Sequence, residues 1–173
     1  MKKSILVLFT AVILLYGLAL YSGFLTLIIP LSKHQKQNHH LVKGEKINPL
    51  NSLNFDSGKW EVYLSISPND FDDLPPSIIH AAALKTTDQA LIKNIQKTWH
   101  FTYTGSDIAT VTSSIYFVKD GALVFASGIV LSKQTEGLQS EEYGWMVPDD
   151  KNALSDFGKH LKPIYWPIVF LNY

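Results

Sequence analysis

Residues 109–131 read ATVTSSIYFVKDGALVFASGIVL. Val111, Ile115 and Phe117 oppose Thr110, Thr112, Ser114 and Tyr116, a period of two that predicts a strand with one apolar face. Lys119-Asp120-Gly121 ends it, and Asp-Gly suits the positive φ angles of a tight hairpin turn. Ala122 to Leu131 returns almost wholly apolar, which predicts a central strand covered on both faces. Gly128 inside it predicts a bulge or the close approach of another element.

Working outward, more strands and a few helices follow. Trp60, Val62, Leu64 and Ile66 alternate with Glu61, Tyr63 and Ser65, another half-buried strand. Residues 69–73 read as a turn-rich acidic loop, and Pro75-Pro76 as the start of a short helix with Ile78, Ile79, Ala82 and Ala83 on one stripe. Thr86 with Gln89 resembles a capping box for a second helix carrying Leu91, Ile92 and Ile95. Trp99, Phe101 and Tyr103 mark a strand, and Tyr143 to Val147 an edge strand. Leu154, Phe157 and Leu161 form the stripe of a last helix, which Pro163 stops. The tail, Ile164 to Leu171, is too short to span a bilayer and reads as a final core segment, with an interfacial aromatic anchor as the alternative. The expected fold class is α+β, with an antiparallel or mixed sheet and two to three helices over residues 58–173.

The other end of the chain has a different character. After a short basic start, Met1 to Lys3, no charged residue occurs before Lys33. About 20 apolar residues cross a bilayer core, so residues 4–31 are expected to form an uncleaved transmembrane signal anchor. Residues 32–57 are polar and aperiodic and read as a flexible linker that holds the domain off the bilayer. Lysines flank both ends of the apolar stretch, so their count leaves orientation open. The lysine pair before the apolar run favours a bacterial signal anchor. It would be single-pass in the inner (cytoplasmic) membrane, with the C-terminal domain exported to the periplasm.

Composition narrows the chemistry. All fifteen basic residues are lysine, and cysteine is absent. That removes disulfides, thiolate metal sites and cysteine nucleophiles, and also the arginine fork used on phosphate and guanine. From residue 47 onward nine lysines face fourteen acids, a net charge of −5 that repels nucleic acid and anionic lipid. No nucleic-acid partner is expected. Hydrolase, zinc-protease, P-loop and dinucleotide motifs do not occur. His34, His39 and His40 read as part of a hydrated tract, and Asp70, Asp72 and Asp73 as turn chemistry without an EF-hand's glycine and distal glutamate. Neither a metal nor a cofactor is expected.

Glu141, Glu142, Tyr143 and Trp145 remain as a partner-binding patch, because tyrosine and tryptophan beside charges are typical of interface hot spots. The function expected is that of a membrane-anchored, non-enzymatic protein-binding domain at the cell envelope, such as an immunity, exclusion or accessory subunit, with a basic protein as partner. The alternative is an envelope hydrolase with a serine or carboxylate mechanism.

Overall fold

A computed structural model describes residues 2–21, 26–31, 41–105, 111–140 and 143–172. In chain order the elements are helix α1 (Lys2–Tyr21), strands β1 (Leu27–Pro30), β2 (Lys46–Ile47) and β3 (Trp60–Ser65), a 3₁₀ turn (Pro68–Asp73), strand β4 (Ala83–Thr86) and helix α2 (Gln89–Thr98). Strands β5 (Phe101–Tyr103), β6 (Ser113–Lys119), β7 (Ala122–Leu131), β8 (Glu136–Ser140) and β9 (Gly144–Pro148) follow. Helix α3 (Ala153–Gly158) and strands β10 (Lys162–Pro163) and β11 (Ile168–Leu171) complete the fold. It is α+β, with a mostly antiparallel sheet and an N-terminal helix long and apolar enough to cross a membrane.

The hairpin sits at the middle of a nine-stranded sheet ordered β10-β4-β3-β6-β7-β8-β9-β5-β2, with every neighbouring pair antiparallel. Asp120 and Gly121 both take positive φ, as a two-residue hairpin turn of this hand requires. Asp120 also clamps the start of β3: its Oδ1 accepts from Lys59 N at 2.8 Å and its N–H donates to Lys59 O at 2.9 Å. The register slips between Phe117 and Val118, a bulge that gives the two faces different partners. Along β7, buried residues alternate with half-buried ones, so one face is less covered than the apolar run implies. Small residues (Ala122, Ala126 and Gly128) on that second face explain the apolarity without full burial. At Gly128 a Cβ would lie 2.8 Å from Val111 Cγ1, the close approach expected there.

The main core lies between one sheet face and helices α2 and α3. Trp99 stands edge-on to Phe101, Phe117 and Phe157, with ring centroids 5.9, 6.0 and 5.4 Å apart. Such T-shaped contacts add to what area burial contributes. Asp88 caps α2, accepting from the N–H groups of Ala90 and Leu91. Thr86 is therefore not the cap of that helix; its hydroxyl accepts from Asp88 N, and Gln89 turns back to bond the Trp60 backbone in both directions. Helix α3 has no side-chain cap of its own. The buried Glu136 carboxylate serves instead, accepting from Leu154 and Ser155 N–H.

Several expectations change. The N-terminal helix is described as far as Tyr21, and residues 27–30 form a strand rather than the last turns of a span. The β-branched Ile28 and Ile29 and the helix-breaking Pro30 suit that strand, and it pairs in parallel with β11. The supposed linker is half domain: Lys46-Ile47 pairs with β5, and Leu50 and Phe55 are core residues. Residues 32–40 lie outside the described part. Pro75-Pro76 starts no helix; Ala83 enters β4, where Leu84 is buried. Tyr143 to Val147 is no edge, because β9 lies between β8 and β5. The tail is a strand of mixed character: Leu171 is buried while Ile168 and Phe170 face outward.

The β1–β11 ribbon forms a second, smaller layer on the opposite face of the sheet. Its inner residues Ile28, Val169 and Leu171 pack with Tyr63, Val118 and Leu123. Register places Leu27 beside Ile168 and Ile29 beside Phe170 on its outer face.

Candidate functional site

Lys162 of β10 stands opposite Lys85 of β4, and Pro163 opposite Leu84. From there the chain continues through Ile164, whose N–H donates to Ala83 O, into Tyr165 and Trp166. On the other side β4 runs through Thr87 and Asp88 into α2. Between these walls opens a cleft of about 940 Å³, bordered also by Leu91 and His160.

Two lysines opposite one another repel unless one is compensated. Lys85 is compensated: its Nζ lies 3.0 Å from Glu61 Oε1 and 4.8 Å from the Tyr63 ring centroid. Tyr63 Oη donates to the other Glu61 oxygen at 2.7 Å. Burial pushes the Glu61 carboxyl up, but the hydrogen bonds from Tyr63 and Lys85 outweigh it and hold the group below its ordinary range. Burial works against the Lys85 ammonium, and its bonds to Tyr63 and Glu61 reverse the effect and raise its pKa. The Tyr63 phenol is raised, chiefly by burial. Glu61 and Lys85 are thus held in their charged forms and the Tyr63 phenol in its neutral one. Asp88 is committed to the α2 N-terminus, and Thr86 to Asp88. Among the described residues, the side chains of Lys162 and His160 carry no ion pair or hydrogen bond. They share the cleft rim with the exposed rings of Tyr165 and Trp166.

The residues expected to form the binding patch are placed differently. Glu141 and Glu142 lie outside the described residues. Tyr143 is half-buried, with its N–H on Ser140 Oγ. Trp145 is only 5% exposed, so the expectation of a solvent-facing ring is corrected. The cause is Gly137 on β8: a Cβ there would come 2.2 Å from Trp145 Cη2, so the missing side chain is the space the indole fills. The acidic loop is also structural. Asp70 Oδ2 accepts from Thr112 and Ser113 hydroxyls at 2.8 and 2.6 Å, and Lys133 Nζ donates to Asp72 O. Among the described residues no group of three His, Asp or Glu could hold a metal ion; His34, His39 and His40 lie outside them.

The cleft residues were not legible as a site because they come from two stretches far apart in sequence, residues 85–91 and 160–166. The aromatic pair Tyr165-Trp166 between Pro163 and Pro167 is the signal that points to it, since two prolines hold those rings outside any helix or sheet interior. Compared with protein-family models, with curated proteins and with solved structures, the chain finds no match.

Proposed function

We propose that this chain is a membrane-tethered, non-enzymatic protein-binding domain of the cell envelope, and that the cleft between β4, α2 and the β10 tail receives its partner. The tether is α1. The surroundings proposed are the inner membrane, with the domain on the exported, periplasmic side. One observation supports the cleft most: Lys85 and Asp88 are committed to structure, whereas among the described residues the Lys162 ammonium and the His160 ring have no ion pair or hydrogen bond. An uncompensated ammonium across from the apolar Leu91 wall suits a partner segment that offers a carboxylate and an apolar side chain. The local preference is therefore for an acidic segment, although the domain's net charge of −5 favours a basic partner at long range.

A photo-crosslinking residue in place of Thr87, on the cleft wall, tests this in cells. A discrete protein adduct is expected, and Lys162→Glu should abolish it. An adduct indifferent to Lys162→Glu, or turnover of a substrate by the purified chain, would overturn the reading.

A further inference from the structure

We infer that the outer face of the β1–β11 ribbon, with Tyr165 and Trp166, rests in the headgroup layer of a phospholipid bilayer, so that the domain lies on the membrane that α1 crosses. The inference rests on the tether proposed above but not on the cleft's partner.

Three observations carry it. The first is the reach of the chain. From Tyr21, the last residue of α1, to Leu27, the first of β1, there are six residue steps, at most about 20 Å when fully extended. A helix of 20 residues is about 30 Å long and fills the hydrocarbon core, so β1 cannot lie far from the lipid surface. Since β1 is paired along its length with β11, the C-terminal strand is held there too. Leu27 N–H also donates to Pro167 O at 3.0 Å, and Thr26 Oγ1 to Ile164 O at 3.1 Å. These two bonds fix the Tyr165–Trp166 segment beside the ribbon.

The second is what the ribbon shows to the outside. Leu27, Leu31, Tyr165, Trp166, Ile168 and Phe170 are all large, apolar or aromatic, and each is between 44% and 74% exposed. The ribbon's other face is buried on Tyr63, Val118 and Leu123, so the outward apolarity is not needed for the core. Monomeric proteins rarely expose such contiguous apolar patches without a binding role. The third is the mixture itself. Tryptophan and tyrosine beside aliphatic residues, with the Lys162 ammonium at the border, is the composition that settles at a bilayer interface.

The four tryptophans make a direct test. Trp60, Trp99 and Trp145 are buried, and Trp166 is 74% exposed. The full chain is reconstituted in vesicles of phosphatidylcholine and phosphatidylglycerol whose acyl chains carry bromine near the headgroup end. Flotation reports insertion, and quenching of tryptophan emission reports contact with lipid. Bromolipid is expected to quench the wild-type chain. Trp166→Phe should remove that lipid-dependent loss, and Ile168→Ser with Phe170→Ser should diminish it. Trp166 quenched by aqueous acrylamide but not by bromolipid would overturn the inference, because the face would then stand in water. Shielding from both quenchers that grows with the protein-to-lipid ratio would overturn it in favour of a second copy of the chain. A chain that does not float with the vesicles would overturn the tether and this inference together, whereas loss of the Thr87 adduct alone leaves it standing.

Discussion

Trp145 shows how one small residue decides the role of a large one. Its ring is accommodated because Gly137 lacks a side chain. Trp145→Ala is therefore expected to cost about 3–5 kcal/mol, the same range as Trp60→Ala, because each empties a buried aromatic site. Urea unfolding of both variants checks this, and a near-neutral Trp145→Ala would return the ring to the surface. Gly137→Ala should cost about 1–3 kcal/mol through overpacking. Glu61 carries a pH signature. Its folded pKa lies below its unfolded value, so its contribution to stability is present above the ordinary glutamate range and is lost as pH falls through the folded value. Lys85 is raised, so its contribution is present below the ordinary lysine range and lost as pH rises through the folded value. Glu61→Gln should flatten the acid limb of a stability-against-pH curve and lower the neutral plateau. An unchanged acid limb would mean the Lys85–Glu61–Tyr63 triad is too hydrated to matter.

At the scale of elements, burial separates segments that look alike in sequence. Residues 41–57 are as polar and aperiodic as a tether, yet Leu50 is fully buried. Leu50→Ala should cost about 2–5 kcal/mol, whereas Lys46→Ala, which breaks the exposed 2.8 Å pair with Asp149, should cost less than about 1 kcal/mol. Thermal unfolding of the two variants distinguishes a docked segment from a loose one. Helix α2 depends on its cap, and Asp88→Ala should cost about 1 kcal/mol by freeing the Ala90 and Leu91 N–H groups. The β1–β11 pair is the least anticipated element. Its strands stand at opposite ends of the sequence, and parallel pairing requires a long connection, here the domain itself.

For the whole molecule, that pairing ties the residues just after α1 to the C-terminal strand, so helix and domain meet through a ribbon rather than through a long free tether. A reporter fused after Tyr173 tests the proposed side of the membrane. Activity of a reporter that requires export is expected, and activity of a cytoplasmic reporter alone would reverse the orientation. The distribution of charge matters at this scale as well. The acidic excess is spread over the domain, while Lys162 stands without an ion pair at the cleft, so long-range attraction and local recognition need not favour the same sign.

Periodicity and turn chemistry were enough to read the central hairpin, the β3 strand, helix α2 and an apolar N-terminal helix, because each is specified by neighbours within a few residues: alternation along 113–119, Asp120-Gly121, the Leu91–Ile92–Ile95 stripe. The tertiary structure alone decided that residues 27–30 pair as a strand, that residues 41–57 dock, that Trp145 turns inward and that two distant stretches make one cleft. Those outcomes depend on partners far away in sequence. Leu27 finds Ile168, Lys85 finds Glu61 and Lys162, and Trp145 finds the space at Gly137. Non-local pairing of this kind leaves no local pattern, since the free energy that selects it is gained only when the separated segments are brought together.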